Sequence, residues 1–264
     1  MEALKQKRKA SSPQQAREYR QRGHDVALLF AKSLGMTQDY QNDPKAKKDV
    51  IDPSGDAHSV KSGNMKWQMF LYGKSRFESD DSFRAMNGIG QILLDCINSF
   101  PDTYAQYVED KVRYKVQLAP NMVRLADVLK EEYRLRAFLT KSIFNSGEVK
   151  YLTAFHQKQF FVFYSAEVVR KMAAAVVVAN SKARPGRINE TDDQKVVFKY
   201  DGTTLGEVEM RNDSVGHYRE IRFNMIKSKA MKFLLDNIEE RIPFGDGSII
   251  VCGEASRYFG RWLR

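Results

Sequence analysis

Cysteine is nearly missing from this 264-residue chain: Cys96 and Cys252 stand far apart, without a CxxC pair or histidines at zinc spacing. That excludes a disulfide framework and a zinc finger. The four histidines, His24, His58, His156 and His217, are scattered. No apolar run approaches the ~20 residues of a membrane span. Residues 1–8 are basic but run into Ser, Gln and Arg where a secretory signal needs an apolar segment, so a cytoplasmic protein is expected. Neither a GxxxxGK(S/T) loop nor a GxGxxG turn occurs, which removes the common nucleotide-phosphate cradles.

What is present is positive charge and core. The 43 Lys+Arg outnumber the 33 Asp+Glu, for a net charge of +10 that points to a polyanionic partner. Hydrophobic residues make up 42% of the chain, enough to fill the core of one large domain or two modest ones. Lys5, Lys7, Arg8 and Lys9, followed by Arg17, Arg20 and Arg22, form either an arm against phosphates or a solvated start.

Val26, Leu29, Phe30 and Leu34 fall at helical spacing and predict a helix over residues 13–36 that stops at Gly35. A polar loop follows, then two short alternating segments, 48–52 and 57–62, separated by Pro53-Ser54-Gly55-Asp56. Proline fixes φ and glycine accepts positive φ, so a β-hairpin is expected. The block 67–72 reads as a further buried strand or the edge of the same sheet. Helices are expected over 82–100, 123–138 and 166–179, and strands over 149–153 and 159–164. The segments 195–200, 205–211 and 217–225 alternate strictly and predict an antiparallel meander. Val208, Met210, Ile221, Phe223 and Met225 take one face; Glu207, Glu209, Arg211, Tyr218, Glu220, Arg222 and Asn224 take the other. The expected fold is α/β, a mixed central sheet flanked by helices with an antiparallel meander in the C-terminal half. Residues 1–143 and 144–264 form two regions that could fold as one compact domain.

The hairpin also holds a chemical constellation. Ser59 and Lys61 share a strand face, opposite His58, and one turn register sets Asp49 across from Lys61. A one-residue slip would put Asp52 there instead. A carboxylate beside an ammonium suits phosphodiester hydrolysis: the acid holds a divalent cation, and the lysine orients or polarises the attacking water.

Asp49 with Ser59-Val60-Lys61 resembles the motif of the PD-(D/E)XK nuclease superfamily, an acid on one strand and acid-x-Lys on the next. The resemblance covers roughly residues 18–80. It also implies a preceding helix, often bearing a carboxylate, which Asp25 or Glu18 would supply. The sequence departs from the pattern in two ways: no proline precedes Asp49, and Ser59 stands where the middle acid is usual. Some type II restriction endonucleases similarly show Ser-Val-Lys, with the missing acid supplied further along the chain. Glu78 is the candidate here, and Gln68 a competing polar residue. The resemblance implies Mg²⁺ held by Asp49, Glu78 and the Val60 carbonyl, with Lys61 on the water and 5′-phosphate products.

Base reading needs side chains that make paired hydrogen bonds, and a two-stranded ribbon can enter the major groove. Arg211, Asn212, Ser214, His217, Arg219, Arg222 and Asn224 cluster on the meander and its loop, and are the expected contacts to double-stranded DNA. The basic stretch 180–187 would follow the backbone or serve as a linker. Glu207 and Glu209 with Arg211 offer a second metal site, and His217 near Asn212 and Asn224 a histidine-metal one. The reading is a type II restriction endonuclease that cuts both DNA strands, as a homodimer if its site is two-fold symmetric. The alternatives are a non-catalytic sequence-specific DNA-binding protein and a repair or junction nuclease.

Overall fold

A computed structural model describes residues 13–36, 49–63, 65–181 and 192–263. Helix α1 (Pro13–Ser33) buries Ala27, Phe30, Ala31 and Leu34, which recur every three or four residues, and ends at Gly35 with φ +75. This stripe lies on one face of a six-stranded sheet, against Val50, Tyr151, Phe160, Val162 and Ile249.

That sheet contains β1 (Val50–Ile51), β2 (Ala57–Lys61), β4 (Tyr151–His156), β5 (Gln159–Tyr164), β10 (Arg241–Phe244) and β11 (Ile249–Cys252), in the order β1-β2-β4-β5-β11-β10. The β2–β4 and β5–β11 pairs are parallel and the others antiparallel. A parallel pair needs a long crossover. Between β2 and β4 this crossover carries β3 (Lys66–Tyr72) and six helices: α2 (Lys74–Ser79), α3 (Asp81–Ala85), α4 (Ile89–Asn98), α5 (Tyr104–Glu109), α6 (Lys111–Leu129) and α7 (Glu132–Phe144).

The second sheet is entirely antiparallel, in the order β3-β9-β8-β7-β6, with β6 (Val177–Asn180), β7 (Lys195–Tyr200), β8 (Thr203–Arg211) and β9 (Glu220–Ile226). The meander alternates as expected: Val208, Ile221, Phe223 and Met225 are buried. Helix α8 (Ser165–Ala175) leads into β6, and α9 (Lys227–Asn237) follows β9. Both sheets draw strands from either side of residue 143, and one core cluster runs from Trp67 to Cys252. No described helix is long and apolar enough to cross a membrane.

Four sequence expectations need correction. The block 67–72 is an edge strand of the second sheet, paired with β9. The helix expected over 82–100 breaks at Met86, Asn87 and Gly88, all at positive φ, and restarts as α4. Asparagine and glycine tolerate that conformation, which interrupts the helical ladder. The helix expected over 123–138 is two: α6 begins earlier, where the Asp110 carboxylate accepts the Arg113 N–H at 2.9 Å, and α7 starts after Glu131, whose backbone is extended. The helix expected to reach 179 stops at Ala175, because Val177 and Val178 pair with β7 as strand residues.

Candidate active site on the β1–β2 hairpin

The hairpin register is Val50 opposite His58 and Ile51 opposite Ala57. The turn is held by Asp52, whose Oδ1 accepts the N–H groups of Ser54 (2.8 Å) and Asp56 (3.0 Å), with Gly55 at φ +84. Alternation sends Val50, Asp52 and His58 toward α1 and Asp49, Ser59 and Lys61 to the other face. On the α1 side the His58 ring bridges Asp52 Oδ2 (3.3 Å) and Thr153 Oγ1 (2.9 Å), all three buried. Burial pulls the His58 pKa below its usual value, against the upward pull of Asp52. Asp52 is thus committed to the turn and to His58. With Val50 opposite His58, Asp49 lies at the level of Ser59 and not, as expected, directly across from Lys61, and Asp49 and Lys61 share a face without an ion pair.

On the opposite face, Asp49 Oδ2 accepts the Val60 N–H at 2.7 Å and the Ser59 hydroxyl at 3.4 Å, while its own N–H donates to the His58 carbonyl at 2.9 Å. Burial raises the Asp49 pKa; the Lys61 ammonium, the Val60 N–H, the Ser59 hydroxyl and His24 pull the other way. Lys61 is half-buried and pairs with Ala154 of β4. Its ammonium makes no hydrogen bond or ion pair with any other described residue. His24 of α1 is exposed and, among the described residues, makes no hydrogen bond or ion pair with Asp49. Asp25 accepts a hydrogen bond from Gln21 on the exposed side of that helix, and Glu18 is exposed.

Glu78 lies elsewhere. It is half-exposed on α2, paired with Lys74 of its own helix at 3.6 Å, and α2 packs on β3, α3 and α4. Gln68 is exposed on β3, opposite Asn224. Among the described residues no group of three or more His, Cys, Asp or Glu side chains is arranged to hold a metal. The protein donors on the hairpin are therefore one carboxylate and one carbonyl. Both hydrogen bonds to Asp49 fall on Oδ2, leaving Oδ1 without one from any described residue. The N–H and C=O of a strand residue point the same way, so the Val60 carbonyl faces the β1 side as its N–H does. Mg²⁺ is commonly bound through one or two carboxylates, with waters and substrate phosphates completing its shell, and this donor set fits that pattern.

The expected DNA readers are brought together on the outer face and end of the second sheet, and most are already paired. Arg222 Nε donates to Glu209 at 2.8 Å and Arg211 Nε to Asp213 at 2.9 Å. Arg219 reaches Asp102 at 2.5 Å and Asn98 at 3.3 Å, and its N–H donates to Asn212 Oδ1 at 3.1 Å. His217 Nδ1 lies 3.2 Å from Glu220, and a bridge between Ser214 and His217 closes the loop. Asn224 is buried. Glu207 is bound by Lys66 at 2.5 Å and Lys195 at 3.1 Å, and Lys195 also pairs with Glu209. Burial raises the Glu207 pKa, but these two lysines outweigh it and hold the group low. The alternative metal pair, Glu207 with Glu209, is thus neutralised by neighbouring cations. Residues 5–9 and 182–187 lie outside the described residues.

Sequence reasoning found the core face of the meander, since alternation encodes it, but missed the acids that neutralise the arginines and the burial of Glu209 and Asn224. Comparison with protein families, with curated proteins and with solved structures finds no match to this chain.

Proposed function

We propose that the chain is a Mg²⁺-dependent endonuclease of the PD-(D/E)XK type, acting on double-stranded DNA in the manner of a type II restriction endonuclease. The observation that carries this reading is the placement of Asp49 and Lys61 on one face of adjacent strands, with the Asp49 carboxylate oriented by the Val60 N–H. The mixed sheet and the helix packed behind the hairpin agree with the core such an enzyme needs. In this reading Asp49 and the Val60 carbonyl would hold the cation, which when bound would neutralise phosphate charge and acidify water. Lys61, held in a half-buried position, would orient the water for in-line attack on phosphorus; the attacking water gives up its proton to solvent, the P–O3′ bond breaks and the 3′-oxygen takes a proton from solvent, leaving a 3′-hydroxyl and a 5′-phosphate. Ser59 keeps the Asp49 carboxylate in place. Glu78 would complete the site only through a rearrangement of α2, so Asp49 is the one described carboxylate placed to meet the cation.

The net charge of +10 supplies sequence-independent attraction to DNA. Arg211, Asn212, Ser214, His217, Arg219, Arg222 and Asn224 would read bases only by exchanging their present carboxylate and backbone partners for base edges. The observation favouring the second reading, a sequence-specific DNA-binding protein without catalysis, is that no group of three or more His, Cys, Asp or Glu among the described residues is arranged to hold a metal. Binding of labelled duplex with Ca²⁺ in place of Mg²⁺, followed by Mg²⁺ addition, tests the two. A nuclease binds in Ca²⁺ and cuts on Mg²⁺ addition. Binding in both ions without cutting supports the second reading, and a preference for branched substrates would assign the same site to repair.

A further inference from the structure

We infer that His156 of β4 and Lys227 of α9 form a phosphate-binding site beside Lys61, on the side of it away from Asp49, and that this site holds a backbone phosphate of the DNA. Its use in cleavage rests on the nuclease reading; the site itself stands on strand register and charge. Lys61 pairs with Ala154 in the parallel β2–β4 ladder, and paired residues of neighbouring strands point to the same face. Alternation returns the chain to that face two residues later, at His156. Strands lie about 4.8 Å apart and rise about 3.3 Å per residue, which sets His156 and Lys61 about 8 Å apart at their Cα atoms. Phe161, which pairs with Ala154 from β5, agrees with this placement: its ring lies 6.2 Å from that of His156. Asp49 lies at the level of Ser59, one step the other way, so Lys61 stands between the acid and the histidine.

Lys227 arrives from the other sheet. Strand β9 ends at Ile226, paired with Lys66, and the Lys227 N–H donates to the Met65 carbonyl at 2.9 Å. The first residue of α9 is thereby tied to the passage from β2 to β3, four residues past Lys61. Gly63 permits that passage, since a Cβ there would lie 2.7 Å from the Lys66 carbonyl oxygen. Burial pulls the His156 pKa down and the nearby Lys227 ammonium adds to the pull, while burial lowers the pKa of Lys227 itself.

Charge is what calls for a ligand here. The side chains of Lys61, His156 and Lys227, all half-buried, make no hydrogen bond or ion pair with any described residue. Elsewhere the chain partners its withdrawn lysines: Lys141 meets Asp80, and Lys195 meets Glu207 and Glu209. Drawing an ammonium out of water without a partner is costly, and a phosphate would return the lost interaction. Helix α9 adds to the attraction, because its first turn holds no acidic residue and no side chain caps it, leaving the positive end of its dipole open. The imidazole would donate an N–H to a phosphate oxygen, and Lys227 would supply the opposing charge.

The test begins with the full-length protein, free of divalent cations, titrated with inorganic phosphate while the histidine ring protons are followed by nuclear magnetic resonance. The His156 signal, assigned by its loss in His156→Ala, should shift saturably. Lys227→Ala should weaken that binding at least about fivefold with unchanged circular dichroism, and Lys227→Arg, which keeps the charge, should restore most of it. Duplex binding in Ca²⁺ carries the test to DNA: Lys227→Ala should weaken it about tenfold and lower the slope of log K against log salt by about one. A His156 signal indifferent to phosphate overturns the inference, as does a Lys227→Ala protein that binds phosphate and duplex as wild type does. The two readings fail separately. Phosphate and duplex held through His156 and Lys227 in a protein that never cuts would keep the site and remove the nuclease. Cutting and binding undiminished in the double variant His156→Ala with Lys227→Ala would do the reverse.

Discussion

The backbone N–H of Val60 donates to the Asp49 carboxylate across the hairpin at 2.7 Å, one residue before Lys61. That bond orients the acid where the lysine rises on the same face, and it couples catalytic geometry to strand register. It also holds a carboxylate in a site where burial disfavours its charge.

A carboxylate whose pKa is raised on folding binds its proton more tightly in the folded chain than in the unfolded one. Its favourable contribution is complete below the unfolded pKa and is lost as pH rises through the raised folded value. Asp49→Asn should therefore melt at a higher temperature than wild type at pH 8, with the gap closing toward pH 3, and should cleave no DNA. Thermal melts across that range, beside a cleavage assay, check both halves. An Asp49→Asn protein less stable than wild type at pH 8 would mean that Lys61 outweighs burial.

His58 follows the opposite sign. Its pKa is lowered by burial, so its contribution is complete above the unfolded value near 6.5 and fades as pH falls through that value toward the folded one. Urea midpoints of wild type should drop between pH 7 and pH 5. His58→Phe should keep the ring contacts to Phe30 and Tyr151, at centroid distances of 5.0 and 4.8 Å, and flatten that slope. It should also cost about 1–3 kcal/mol at neutral pH by leaving Asp52 Oδ2 and the Thr153 hydroxyl unsatisfied.

Lys141 is buried on α7, with its ammonium 3.1 Å from Asp80 and 4.6 Å from the centre of the Phe83 ring. Burial raises the Asp80 pKa, but hydrogen bonds from Ser82, Lys141 and the Phe83 N–H outweigh it and hold the carboxyl at about 2. A depressed carboxyl stabilises above its unfolded pKa and loses that contribution as pH falls through the folded value. Arg76 also reaches Asp80 at 3.1 Å and would still compensate it, so Lys141→Met should lower stability by about 1–3 kcal/mol at pH 7. The loss should be smaller at pH 2, where Asp80 is protonating, and acid melts of the two proteins check this.

Gly90 sits in the first turn of α4, where a Cβ would lie 1.9 Å from the Phe83 carbonyl oxygen and 2.3 Å from that of Arg84. Both are backbone atoms and cannot rotate away. Gly90→Ala should destabilise by more than about 3 kcal/mol, read as a loss of soluble protein or a low urea midpoint. Gly88→Ala would act through φ +85 alone and cost less, since nothing crowds its Cβ.

Local patterns were legible where backbone chemistry is local. The Pro53-Ser54-Gly55 turn and the alternation of 57–61 defined a hairpin with Asp49 and Lys61 on one face, though its register sets Asp49 by Ser59 and not across from Lys61, and the strict alternation of 205–211 and 220–225 identified the core face of the meander. Non-local pairing was hidden. Nothing in residues 57–61 says that β2 runs parallel to β4, or that Trp67 to Tyr72 leave that sheet for the other. The break at Asn87 and Gly88 was masked by helical spacing on both sides. In the site, alternation said which way Arg222 and Arg211 point, but Glu209 is on another strand, so the neutralisation of Arg222 was invisible, whereas Asp213 is only two residues past Arg211 and that pairing was local. Glu78 had the right chemistry at the wrong place, because α2 is attached to the second sheet.

The central claim is that Asp49 and Lys61 hydrolyse DNA. Purified wild type and Lys61→Ala are incubated with long linear DNA in Mg²⁺ and in EDTA, and the fragments are resolved on a gel. The account predicts discrete bands with wild type in Mg²⁺, none in EDTA, and a loss of at least about 10²-fold in Lys61→Ala, which still binds duplex in Ca²⁺. Intact DNA under conditions where wild type binds it, or bands undiminished in Lys61→Ala, would contradict it.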